Sequence, residues 1–205
     1  MINVQDDSRL TPLQKAAILL QRSQARIAEL EHREAEPIAI VGMGCRLPGG
    51  KGPEAFWHML AEGRDAIGEV PEGRWNLDTY YDPDPSVAGK MYSKWGGFLE
   101  DVKGFDASFF NISPREAIWV DPQHRLLLEV AWEGLEDAAI LPSSLSGTRT
   151  GVFIGVIGFD YGLLQMTNLD VLDVFSGTGG SHSILANRLS YFLDINGPSM
   201  VMDTA

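Results

Sequence analysis

Three short runs carry residue types that could do chemistry. Gly42-Met43-Gly44 follows an apolar stretch and suggests a dinucleotide fingerprint, in which a glycine-rich turn delivers pyrophosphate to a helix N-terminus. The position that should hold the third glycine is Leu47, with Pro48 directly after it. A tight strand-exit turn therefore fits better, and an NAD(P)-dependent oxidoreductase is the weakest functional class. Cys45 lies in the same turn beside Arg46, a neighbour that can lower a thiol pKa. No base accompanies it, so a packing role fits better than catalysis. Gly177-Thr178-Gly179-Gly180-Ser181 resembles a phosphate cradle but has no P-loop lysine. It is no nucleophile elbow either, since Gly-x-Ser-x-Gly would need glycine where Ser183 stands. The run reads instead as a helix N-terminus crossing close to another backbone. His32, His58, His124 and His182 show no metal-ligand spacing. His124, in the first turn of a helix, reads as a hydrogen-bonded structural group.

The elements that would hold these residues can be laid out in order. Residues 10–34 read as a helix: Thr11 and Gln14 form a capping box and Pro12 suits the first helical position. Leu13, Ala17, Leu20, Gln24 and Ile27 recur at alternating steps of four and three, the rhythm of a coiled-coil seam. Alanine and glutamine are weak knobs, so this helix needs a partner. Glu36-Pro37 ends it. Ile38–Val41 is an unbroken, β-branched run and reads as a buried strand. Phe56, Trp57, Met59 and Leu60 predict the buried side of a helix. Residues 69–97, dense in Pro, Gly, Asp and aromatics, predict a long ordered loop packed on the body. Asp121-Pro122 opens the clearest helix, the acid as cap, with Leu127, Val130, Ala131, Leu135 and Ala138 on its apolar face. Gly151–Val156 predicts a second buried strand, Ser183–Leu193 a helix closed by an Asn196-Gly197 turn, and Pro198–Thr204 a last strand. Alternating strand and helix predict an α/β fold with a mostly parallel sheet.

Composition narrows the class. The chain has 205 residues, 44% of them hydrophobic, and a net charge of −12. Such acidity argues against nucleic acid and against an anionic membrane surface. Residues 1–35 hold five acids and five bases, so the whole excess of twelve acids falls in 36–205. A neutral leader on an acidic body predicts two units of different purpose. No stretch approaches the roughly 18 apolar residues of a membrane span. Met1–Asp7 lacks the basic and apolar regions of a signal peptide. A single cysteine excludes an intrachain disulfide framework. A cytoplasmic location is expected.

EPIAIVGMGCRLPG at 36–49 resembles the opening of the ketosynthase domains of modular type I polyketide synthases. FDASFFNISPREA at 105–117, DPQHRLLLE at 121–129 with Trp132-Glu133, ANRLSY at 186–191, and Gly197-Pro198-Ser199 with Asp203-Thr204-Ala205 resemble the same family in the same order. Departures are small: His124 stands where glutamine is usual, and Trp119-Val120 precede the Asp-Pro pair. The resemblance implies the amino-terminal half of a thiolase-like α-β-α-β-α sandwich over residues 36–205. It implies that a nucleophilic cysteine follows Ala205 directly, at a helix N-terminus whose dipole favours thiolate. It also implies decarboxylative condensation of an acyl chain with a malonyl-type extender carried on the phosphopantetheine arm of an acyl carrier protein. Two histidines and a lysine from the carboxy-terminal half would assist. No catalytic residue, bound cofactor or metal is then expected within this chain. On its own it is expected to be inactive and to fold poorly, its apolar faces lacking their cover.

Two interaction expectations go with the resemblance. Residues 1–35, through the seam Leu13, Ala17, Leu20 and Ile27, would dock the tail of an upstream polyketide synthase subunit; a simple dimerising coiled coil is the alternative. The strand Ser199, Met200, Val201 and Met202 would pair across the two-fold axis of a homodimer. The competing class to an enzyme is a non-catalytic docking or dimerisation fragment.

Overall fold

A computed structural model describes residues 11–35, 37–168, 170 and 172–204. The leader Met1–Asp7, Glu36 and Ala205 lie outside the described residues. The chain separates into two compact units, Met1–Ile40 and Val41–Ala205. The first contains helix α1, Pro12–Ala35. Its start is built as the capping box predicts: the Gln14 N–H donates to Thr11 Oγ1 and the Thr11 N–H to Gln14 Oε1. Leu13, Leu20 and Ile27 are all exposed.

The second unit runs β1 (Arg46–Leu47), β2 (Gly50–Lys51), α2 (Pro53–Ala61), β3 (Ile67–Glu69), α3 (Leu77–Tyr80), β4 (Trp95–Gly97) and α4 (Pro114–Ala117). It continues with α5 (Pro122–Asp137), β5 (Val152–Gly155), α6 (Asp160–Gln165), α7 (Val174–Gly180), α8 (His182–Phe192) and β6 (Ser199–Met202). β1 with β2, and β3 with β4, form short antiparallel ladders; β5 and β6 pair in parallel, Val152 opposite Ser199 and Gly155 opposite Met202.

The core lies where α8 covers one face of the β5–β6 pair and α5 packs on α8. Val152 and Ile154 point into it and meet Leu128, Leu185, Ala186 and Leu189, with Phe110, Val120, Leu193 and Ile195 closing the sides. Burying a leucine as fully as Leu128 contributes roughly 1.5–3 kcal/mol. Phe109, Phe110, Trp132 and Phe192 form an aromatic cluster, Phe109 standing edge-on to Trp132 at 4.7 Å. The period-2 pattern makes the sheet two-faced: Phe153, Met200 and Met202 lie on the other side and are exposed.

Four expectations need correction. Ile38–Val41 forms no strand: residues 37–45 have no ladder partner, and Ile38 is 96% exposed. A β-branched run supplies propensity but cannot supply the neighbour whose N–H and C=O groups make a ladder. Of the α2 residues expected inside, only Met59 is buried, while Trp57 and Leu60 face out. In place of a mostly parallel sheet, the described residues form three two-stranded ladders, of which only β5–β6 is parallel. The expected loop over 69–97 contains helix α3, capped by Asn76 through the Thr79 N–H, and ends in β4; Trp75 packs edge-on against Phe98 as a packed loop requires, whereas Tyr92 stands out in solvent.

Candidate functional site

The glycines of the Gly42–Arg46 turn are explained by helix α5. A Cβ on Gly42 would sit 2.4 Å from the Gly134 carbonyl oxygen, and one on Gly44 2.5 Å from that of Val130. The motif is a place where one backbone lies directly on another. Polar groups fasten it there: the Met43 N–H donates to Asp137 Oδ2 at 2.8 Å, and the Arg46 guanidinium grips both carboxylate oxygens of Glu133. That fork is charge-assisted and bidentate. It holds the Glu133 carboxyl below its ordinary pKa, the Arg46 hydrogen bond being the main cause. Cys45 is half-buried and unbonded to any other cysteine.

The other glycine-rich run behaves similarly. Its glycines lie in helix α7, not in a loop before a helix, and Ser181 stands at the N-cap position of α8 without a side-chain capping bond. Asp173 starts α7, accepting from the Phe175 N–H while Ser176 Oγ accepts the Asp173 N–H. Desolvation pushes the pKa of this carboxyl up, but its pairing with Arg115 and the Phe175 N–H outweigh that and leave it below the ordinary value. At the far end of α7, a Cβ on Gly179 would come 2.2 Å from the Trp119 carbonyl oxygen, and the Asp121 N–H donates to the Gly179 carbonyl. The close backbone crossing expected of this run is therefore present. Arg188 of α8 ties the junction together, donating to Glu116 Oε1 at 2.6 Å and to the Thr178 carbonyl.

Between α6 and the α7–α8 corner lies an apolar cavity of about 610 Å³, walled by Phe159, Met166, Leu172, Gly177, His182 and Gln165 among others. His182 donates through Nε2 to the Gly158 carbonyl at 2.8 Å and stands edge-on to Phe159. Gln165 Nε2 donates to the Trp119 carbonyl, holding α6 against the junction. These walls leave little signal in the sequence because 159–166 has no motif or sustained period. Their sequence trace is slight: Gly162 leaves room for the Phe159 ring, and a Cβ on Gly180 would stand 3.6 Å from that same ring. Strand β6 starts against the C-terminal part of α8, Ser190 Oγ donating to Ser199 Oγ, and Gly197 lets the chain pass at contact distance from Thr150 before it.

Residues 35–205 match the family described as beta-ketoacyl synthase, N-terminal domain. The chain belongs to that family. It is 53% identical over 171 residues to a phenolphthiocerol/phthiocerol polyketide synthase of Mycobacterium tuberculosis, covering 83% of this chain and 9% of that one. It is 44% identical over 203 residues to phenolphthiocerol synthesis polyketide synthase type I Pks15/1 of Mycobacterium marinum, covering 98% of this chain and 10% of that one. The second match takes in helix α1 as well. Among solved structures, the oxazolomycin ketosynthase domain OzmH KS7 of Streptomyces albus JA3453 superposes with a TM-score of 0.75 at 43% identity, covering 82% of this chain and 30% of that one. The fold is thus the α/β, thiolase-like fold of ketosynthases. The chain spans about a tenth of the length of these polyketide synthases.

Within this ketosynthase half, the residues singled out from sequence fall in separate places. Leu13, Ala17, Leu20 and Ile27 lie exposed along α1. Ser199, Met200, Val201 and Met202 form β6, paired to β5 on one side. His124 is 1% exposed and neither ring nitrogen has a hydrogen-bond partner, so the expected hydrogen-bonded group is corrected to a buried, unbonded one. Among the described residues no His, Cys, Asp and Glu cluster could hold a metal, and no helix is long and apolar enough to cross a membrane.

Proposed function

We propose that this chain supplies the amino-terminal half of a polyketide-synthase condensing enzyme, an acyltransferase that forms carbon–carbon bonds. The observation that carries the reading is the family match over residues 35–205, which runs through strand β6. In this reading a cysteine follows Ala205 and, as thiolate, takes the acyl chain from a phosphopantetheine thioester, releasing the carrier's thiol. A malonyl-type extender on an acyl carrier protein then loses CO₂. The resulting carbanion attacks the acyl thioester carbonyl and expels the cysteine thiolate, leaving a β-ketoacyl chain on the carrier. The apolar cavity beside the α7–α8 corner supports a seat for the growing chain, since it is walled by Phe159, Met166 and Leu172 and large enough for an acyl group. The work is expected to be cytoplasmic and the domain homodimeric through β6. Intact-mass spectrometry after incubation with an acyl thioester tests the reading. The ketosynthase extended through its carboxy-terminal half should gain one acyl mass, and replacing the residue after Ala205 by alanine should abolish the gain. Acylation that survives the replacement, or resides on Cys45, overturns it.

The exposed seam of α1 favours a second role for residues 1–35, docking the tail of an upstream synthase chain; a binding titration against such tails distinguishes this from self-association. Self-association without capture of any tail would leave only the dimerising coiled coil.

A further inference from the structure

Four side-chain atoms among the described residues are buried with no hydrogen-bond partner, and all belong to one junction: Asp121 Oδ2, both ring nitrogens of His124, and Arg188 Nε. Here the N-terminus of α5 meets the end of α7 and the body of α8, joined by the Asp121–Gly179 backbone hydrogen bond and the Arg188–Thr178 contact. The groups around His124 are unfavourable to a second positive charge. From α8 it faces Arg188 and His182. From α4 comes Glu116, already engaged by Arg188. On its own helix Asp121 spends Oδ1 on the Gln123 N–H and makes no bond to the imidazole, and Arg125 turns away to Val120 and Tyr161. The first turn of α5 adds its own positive end.

We propose that His124 is an acid-sensitive latch: protonating its imidazole opens the junction of α5, α7 and α8 and dismantles the cavity that α7 and α8 help to wall. The closed junction tolerates only the neutral ring, because the charged form would be dry, unbonded and beside a guanidinium. Desolvation, with Arg188 and His182 behind it, pushes the His124 pKa from the ordinary 6.5 down to about 4. An opened junction takes up the proton at the ordinary value. The closed state therefore has its full advantage above pH 6.5 and loses it as pH falls from 6.5 towards 4, with no further loss below. Between pH 8 and pH 5 the closing equilibrium should weaken roughly 30-fold from this group alone.

Hydrogen exchange of the backbone amides of residues 174–192, corrected for intrinsic rates, reads the latch directly. In the wild-type chain their protection should fall by tens of fold between pH 7.5 and pH 5, and in His124→Gln it should stay level. Equal loss in the two proteins overturns the latch. Should the variant fail to fold, the wild-type imidazole proton resonance decides alone: a midpoint near 4 supports the proposal, one near 6.5 overturns it. The cavity arm rests on the acyl-seat reading, so a fluorescent fatty-acyl probe is titrated in parallel. Release of bound probe in step with lost protection supports the link to the cavity. A probe that binds at no pH sinks the acyl seat while the exchange data still judge the latch.

Discussion

The two ends of helix α5 are both pressed against foreign backbone, but they treat buried polar groups in opposite ways. Towards its C-terminus, Gly42 and Gly44 lie on the helix and the charged groups that fasten the contact are partnered: Arg46 with Glu133, and Asp137 with the Met43 N–H. At its N-terminus, Gly179 makes an equally close approach, yet His124 is sealed in without a hydrogen bond and Asp121 is only half satisfied. Close packing is thus common to both ends, and polar satisfaction is not. The first makes a clamp whose strength depends on carboxylates; the second makes a joint whose strength depends on a neutral ring.

The packing half of this comparison breaks first under a single methyl group. Gly179→Ala and Gly42→Ala each force a Cβ into a backbone oxygen, at 2.2 and 2.4 Å. Each should cost about 3 kcal/mol, at the upper end of ordinary overpacking, because backbone cannot rotate aside as a side chain can. Chemical-denaturant midpoints measure it. A loss below about 1 kcal/mol in either variant would show slack where the two ends are held to be alike.

The polar half separates by pH. Glu133→Gln keeps the shape but leaves the Arg46 guanidinium, with a side chain only 11% exposed, without its charged partner. The expected cost is about 1–2 kcal/mol at pH 7, reduced because Glu133 is partly solvated. Glu133 has its folded pKa depressed, so the clamp's contribution is present above its ordinary value of 4.5 and lost as pH falls below that. Wild type and variant should therefore draw together as the pH falls below 4.5, whereas the histidine joint weakens between 6.5 and 4. A Glu133→Gln penalty that disappears already at pH 6 would mean the two ends are not independent.

Much of this is legible from residue order. The capping box at Thr11, the Asp121 cap, the strands at 152–155 and 199–202, and the close crossing at Gly179 rest on local rules of hydrogen bonding and steric fit, and all appear where expected. The strand at Ile38–Val41 does not, because a ladder needs a neighbour and no local pattern reports one. His124 is not bonded as expected: its place on α5 is legible, but its surroundings belong to α4, α7 and α8, outside its own helix. The cavity is hidden for the same reason, its walls being gathered from two stretches with no shared period. The Arg46–Glu133 fork joins two motifs 87 residues apart, and neither motif by itself points to the other.

The smallest effect is the most discriminating, since it uses the same helix as the largest. Gly177 and Gly179 sit two residues apart in α7, but nothing lies within 4 Å of a Cβ built on Gly177. Its φ is not in the left-handed region, so alanine fits the helix there. Replacing it should remove unfolded-state freedom without meeting an obstacle, stabilising the chain by about 0.5–1 kcal/mol. Gly177 also lines the cavity, so a methyl group there narrows the proposed acyl seat. Gly177→Ala should accordingly raise the denaturation midpoint and weaken binding of a fatty-acyl probe. A variant that is more stable and binds the probe unchanged would place the chain's seat elsewhere; a destabilised one would mean that α7 is held tightly along its whole length, and not only where Gly179 meets Trp119.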